Sequence, residues 1–164
     1  MNQVQMQASP NAGATGLPPG TETRLQVLMV GLGNEIFAVE TDMGREILDP
    51  VPVTRVAGPR AFLPALINVR GNVIPLADLR IRFGMAKTEQ TADTRIVVVE
   101  VEIDGDPVTL GLLADKVYEV TEVSTRQMQQ TPRLGSHRRP EFIRFITKWN
   151  DEFVIVPEMS RILG

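Results

Sequence analysis

Few side chains in this sequence can do chemistry, and their types settle early which chemistry is open. There is no cysteine and a single histidine, His137. Disulfides, thiolate zinc sites, iron–sulfur clusters and thiol nucleophiles are thereby excluded, and a histidine-rich metal site with them. Ser136-His137 is the one Ser–His neighbourhood. Adjacent residues make a poor nucleophile–base pair, and a loop bounded by Pro132 and Pro140 gives such a pair no rigid support. Asp104-Gly105-Asp106 opens like a calcium loop but lacks the later ligands and the terminal glutamate, so it reads as a turn. Gly31-Leu32-Gly33 lacks the third glycine and the following helix of a dinucleotide site. Glu100 and Glu102 alternate along one predicted strand, which puts both on its solvent face. The inventory predicts a protein that is not an enzyme and that carries no cofactor and no metal.

Two arginine groupings remain. Arg133, His137, Arg138, Arg139 and Arg144 lie among Phe142, Phe145 and Trp149. Interleaved cations and aromatic rings could form a single-strand nucleic-acid surface over 133–149. The competing reading is a solvated loop followed by a strand whose aromatics face the core. An overall balance of 17 Lys plus Arg against 20 Asp plus Glu favours the loop, so no nucleic-acid partner is expected. The second grouping is Arg70 beside Gly71-Asn72. Read from spacing, Gly-Asn supplies the positive φ angles of a hairpin and Arg70 is its solvated flank. A guanidinium there could also grip a carboxylate with two parallel hydrogen bonds, which a lysine could not.

The elements that must carry these residues are short strands. The chain has 164 residues, 43% of them hydrophobic, enough for one domain or two very small ones with a real core. Residues 1–24 hold no apolar periodicity and almost no charge, and are expected to form a flexible tail ahead of a domain over 25–164. Deleting 1–23 should therefore leave the thermal midpoint within about 4 °C of the parent, measured by a calorimetric or spectroscopic melt. From Leu25 onward Val and Ile gather in short runs at 25–32, 36–39, 65–69, 73–76, 95–103, 108–113, 141–147 and 152–156. β-branched runs of that length predict strands. Turn signals at Gly33-Asn34, Gly71-Asn72, Asp104-Gly105 and Asn150-Asp151 join them into hairpins. An all-β sandwich or barrel is predicted, with helical turns only near 42–48, 77–83, 114–118 and 158–163. No apolar run approaches the roughly 18 residues of a membrane helix, and the N-terminus lacks the pattern of a secretory signal. The expected compartment is the cytoplasm, without direct membrane insertion.

The chain repeats itself. Residues 28–48 run strand, turn, strand and polar turn to Glu46-Ile47, and 97–120 repeat that order to Glu119-Val120. Residues 65–81 and 142–162 form a second pair, each a strand, a two-residue turn, a strand, a proline and an acidic-start helical turn with arginine. Two similar subdomains follow from this plan.

The most distinctive segment is 62–84, with Asn68-Val69-Arg70-Gly71-Asn72-Val73-Ile74-Pro75-Leu76-Ala77-Asp78-Leu79-Arg80 at its centre. It resembles the signature of the CheW-like chemotaxis coupling proteins. Gly33 to Val39, Glu46-Ile47-Leu48, Val53-Thr54-Arg55-Val56 and the paired strands of 95–120 agree with the same family. The resemblance implies two SH3-like five-stranded β-barrels side by side. It also implies a non-catalytic adaptor that couples chemoreceptors, through their cytoplasmic tips, to the regulatory domain of a histidine autokinase. Such an adaptor is recruited to receptor arrays at the inner face of the membrane. By the same resemblance Glu46, Ile47, Asn68, Arg70 and Gly71 are partner-binding residues. The sequence departs from the family pattern at Gly44, where relatives carry a branched aliphatic residue, at Arg144-Phe145, where they often carry glycines, and at Pro157, where an aspartate is common.

Overall fold

Strands buried on both faces need apolar residues at successive positions, and that requirement accounts for the continuous runs of this sequence. The structure, a computed structural model, describes residues 24–42, 44–58, 60–124 and 140–163. In chain order the strands are β1 (Arg24–Leu32), β2 (Glu35–Glu40), β3 (Gly44–Leu48), β4 (Val53–Arg55), β5 (Ala65–Val69), β6 (Asn72–Ala77), β7 (Arg95–Ile103), β8 (Asp106–Ala114), β9 (Lys116–Ser124), β10 (Ile143–Trp149) and β11 (Glu152–Pro157). Two single-turn helices follow β6 and β11, α1 (Leu79–Arg82) and α2 (Met159–Leu163). Of the expected tail over 1–24, Arg24 opens β1 and the rest lies outside the described residues, as does the loop containing Arg133, Ser136, His137, Arg138 and Arg139.

A five-stranded sheet has the order β10-β11-β2-β1-β9, and a six-stranded sheet the order β3-β7-β8-β6-β5-β4. Each curls into a small barrel, as the resemblance implied, with β4 as an additional short strand on the second. The sequence repeat and the barrels are different units. β1, β2 and β3 match β7, β8 and β9, yet β3 pairs with β7 and β9 pairs with β1. Each half thus places its first two strands in one barrel and its remaining strands in the other, so neither barrel is a continuous piece of chain.

Three apolar clusters result. Val27, Met29, Ile36, Ala38, Val123, Val154 and Val156 fill the first barrel, and Ala65, Ile67, Ile74, Leu76, Ile96 and Val98 fill the second. The alternate residues of the same strands, among them Leu28, Val30, Phe37, Val39, Val97 and Val99, join Phe83 and Phe142 in a larger core between the barrels. The two halves carry matched bonds there, each within its own half: Asp78 N–H to Phe62 C=O and Glu158 N–H to Phe142 C=O, both at 2.8 Å. The Arg82 guanidinium sits 4.7 Å from the ring centroids of both Phe62 and Phe142 and donates to the Ile162 carbonyl at 3.0 Å.

Three expectations need correction. Residues 42–48 and 114–118 do not form helical turns but supply β3 and the start of β9. β9 carries exposed Lys116, Tyr118, Glu119, Val120 and Glu122, so it lacks the unbroken apolar run that marks an inner strand. The third concerns the hairpin after β5. Its turn residues are Arg70 and Gly71, at φ 52° and 85°, and Asn72 already belongs to β6.

One polar group in the first barrel has been left without a partner. Thr147 faces Val154 on the adjacent strand and is fully buried, and its hydroxyl makes no hydrogen bond. A buried unsatisfied hydroxyl costs on the order of 1–3 kcal/mol. Thr147→Val keeps the shape and removes that cost, so chemical denaturation should show a stability gain of about 1 kcal/mol or more.

Candidate partner-binding site

Arg70 and Glu46 come from strands that the hydrogen-bonding order keeps far apart. β3 is one edge of the six-stranded sheet and the β5–β6 hairpin lies near the other. Curling the sheet brings them together. Arg70 donates from both terminal nitrogens to both Glu46 oxygens, at 2.6 and 2.5 Å, the fork-on-fork geometry available to a guanidinium. The Arg70 side chain is 71% exposed and that of Glu46 24%, so the pair stands at the surface as a formed but wet contact. Its hydrogen bonds with Arg70 hold the Glu46 carboxyl below the ordinary glutamate range, and Glu46 in turn raises the Arg70 guanidinium. The ion pair therefore persists into mildly acidic solution and is lost only as the pH falls through that lowered value.

The turn that aims Arg70 is built for the purpose. A left-handed backbone is uncommon for arginine. Here the Asn68 side-chain oxygen accepts the Gly71 N–H at 2.8 Å and pins the turn from within. Asn68 and Gly71 thus support the arginine as well as lying beside it, and nothing stands within 4 Å of where a Gly71 side chain would begin.

Ile47, next along β3, is 46% exposed and opens into a groove between the two barrels. The groove has a volume of about 180 Å³ and is walled by Leu28, Val39, Ile47, Val97 and Val120. Glu40, Thr41 and Glu46 form its polar rim. The five sequence-predicted residues therefore occupy one region: Glu46, Asn68, Arg70 and Gly71 around the ion pair, and Ile47 on the groove beside it.

A second arginine of the same signature has a different fate. Arg80 is 5% exposed and grips Asp78 with Nε and Nη2, both at 2.8 Å. Its Nη1 donates to the Thr88 hydroxyl at 2.5 Å and approaches Asp115 at 3.4 Å. Asp115 marks the crossover from β8 to β9, and its other oxygen accepts the Gly33 N–H at 2.6 Å. The chain of bonds fastens one barrel to the other. These contacts hold the Arg80 guanidinium above its ordinary value, the Asp78 bonds contributing most.

The residues 133–149 do not present a stacking platform where they are described. Phe142 is buried between the barrels, and Phe145 and Trp149 pack on the first barrel's core. Arg144 instead reaches across β11 from β10 to form an ion pair with Glu40, a contact sequence reasoning missed because its partners lie in opposite halves of the chain. Among the described residues, no group of three His, Cys, Asp or Glu side chains could hold a metal ion, and no helix is long and apolar enough to cross a membrane.

The chain is similar to known proteins over most of its length. The family model of the CheW-like domain matches residues 26–164. A probable chemotaxis protein CheW of Rhizobium etli is 28% identical over 85% of this chain and 87% of its own length. The chemotaxis protein CheW of Helicobacter pylori is 29% identical over 93% of this chain and 89% of its own. The crystal structure of the scaffolding protein CheW of Thermoanaerobacter tengcongensis superposes with a TM-score of 0.75 at 25% identity, covering 92% of this chain and 94% of that one.

Proposed function

The chain belongs to the CheW-like domain family, and from that premise we propose that it is a non-catalytic adaptor of chemotaxis signalling, one that couples chemoreceptors to a histidine autokinase. Its partners are the cytoplasmic tip of the receptors and the regulatory domain of the kinase, and it is recruited to receptor arrays at the inner face of the membrane. The observation that carries this reading is the exposed, two-bond Glu46–Arg70 pair on a rigid barrel, beside an apolar groove. An ion pair in that position adds little to folding. Docking of a partner would desolvate it and make it worth far more. Glu46, Ile47, Asn68, Arg70 and Gly71 are accordingly assigned to partner binding.

Calorimetric titration of the full chain with a purified receptor cytoplasmic fragment, and separately with the kinase regulatory domain, tests the assignment. Saturable binding to each is expected. Absence of binding to both would remove the adaptor reading.

A further inference from the structure

The second barrel has an open end whose cavity none of the assigned partner-binding residues lines. β4 is the last strand of its sheet, and Val53 and Arg55 pair with Ile67 and Ala65, whose side chains fill the barrel. Side chains alternate between the faces of a strand, so Val53 and Arg55 share the inward face at the rim. Residues 85–91 pass nearby without regular secondary structure, a strap that Thr88 ties to Arg80 and Asp115. Between strand and strap lies a space of about 230 Å³ with Pro64, Ala65, Leu76 and Leu113 as its apolar wall. Its lining holds three cations, Arg55, Arg80 and Lys87, and three carboxylates, Asp78, Glu89 and Asp115. They are not equally available. Asp78 accepts from Arg80 on both oxygens, and Asp115 accepts from Thr88 on one oxygen and from Gly33 on the other. Arg80 is buried and held by those same groups. Arg55 and Lys87 are exposed, and among the described residues neither forms an ion pair or a side-chain hydrogen bond. Glu89 is the one carboxylate of the lining left open, so the available charge at the mouth is positive. The backbone adds to it. Val56 N–H bonds to the Pro64 carbonyl, and by the alternation of an antiparallel ladder the Arg55 N–H points to the open edge of the sheet.

We infer that this cavity binds a small aliphatic carboxylate, its hydrocarbon against the apolar wall and its charge between Arg55 and Lys87. The hydrocarbon part follows from Pro64, Ala65, Leu76 and Leu113, which offer branched and ring carbon at the end of the barrel core. The carboxylate follows from two cations and one backbone donor that nothing else in the described chain engages, and a guanidinium holds such a group with two parallel bonds. The size follows from the volume, which is below the roughly 300–1,000 Å³ of sites for drug-sized molecules. A bound carboxylate would bridge β4 to the strap and so reinforce the tie that Thr88 makes from the other side. The inference does not depend on the adaptor reading, because the cavity is lined by none of the residues assigned to partner binding.

The test titrates the full chain with isocaproate and follows its backbone amide resonances. Saturable shifts are expected at Val53, Arg55, Lys87 to Gln90 and Leu113, and none at Glu46 or Arg70. The dissociation constant should be about 0.1–1 mM, ordinary for a ligand of about eight heavy atoms. Isohexanol and isohexylamine present the same hydrocarbon without the negative charge, and each should bind at least about tenfold more weakly. Arg55→Gln and Lys87→Gln alter exposed side chains without folded partners, so their midpoints should match the parent while each weakens isocaproate at least about threefold. The double variant should bind acid and alcohol alike. Lack of saturable binding, equal binding of acid and alcohol by the parent, or undiminished acid binding by the double variant overturns the inference. So do shifts spread over the surface cations at large, which would show an adventitious ion only. In each of these outcomes the adaptor reading stands, since its own test is binding to receptor and kinase.

Discussion

Replacing Arg80 by alanine is expected to cost about 3–5 kcal/mol of folding stability, the usual penalty for removing one member of a buried ion pair. The reason lies in what stays behind. Asp78 is 4% exposed and would keep its carboxylate without a counter-charge, while Thr88 and Asp115 would lose their shared donor. The thermal midpoint should fall by roughly 10 °C or more for a domain of this size. Arg80→Met should recover part of the packing and little of the stability, because an aliphatic chain fills the space and satisfies no carboxylate. The double variant Arg80→Met with Asp78→Asn removes the stranded charge, so it should be more stable than Arg80→Met alone. A midpoint for Arg80→Ala within about 2 °C of the parent would show that the bonds from Asp78 to Gly33 do not hold the barrels together.

Arg70→Ala is expected to do the opposite. Its midpoint should remain near that of the parent, because the ion pair it breaks is open to water and screened. Its affinity for the kinase regulatory domain or the receptor fragment should fall at least about tenfold. Two further substitutions separate charge from backbone. Arg70→Lys keeps the charge but cannot repeat the two parallel bonds to Glu46, and should bind with intermediate strength. Arg70→Gly loses the same side chain as the alanine variant, yet glycine accepts the φ of 52° freely, so its midpoint should match or exceed the alanine variant's. An early-melting Arg70→Ala would move the residue into the structural network with Arg80. Normal binding by a well-folded Arg70→Ala would place the contact surface elsewhere.

These opposed expectations for two arginines of one signature show what a sequence can and cannot say. The strand runs were legible because β1 from Val27 to Leu32 and β7 from Ile96 to Val99 are buried on both faces, which forces those positions to be apolar. β3 and β9 were not, because edge strands with a wet face mix Glu46, Lys116 and Glu119 into the pattern of a turn. The repeat was visible, while the division of each half between the two barrels was not: pairing across halves depends on register, which composition does not record. Arg70 and Glu46 were marked through family resemblance, and their closeness is a product of barrel closure that linear spacing hides. The Glu40–Arg144 and Arg80–Asp115 contacts join residues far apart in sequence, and only the folded chain brings them together.

The central claim is that this chain joins two proteins, and size-exclusion chromatography with light scattering tests it most directly. Receptor cytoplasmic fragment and kinase regulatory domain are mixed with and without the chain, and the mass of the co-eluting species is read. The account predicts one complex containing all three when the chain is present, and separate elution or a weaker two-part complex when it is absent. Binding of either partner that excludes the other, or no complex with either, would contradict it.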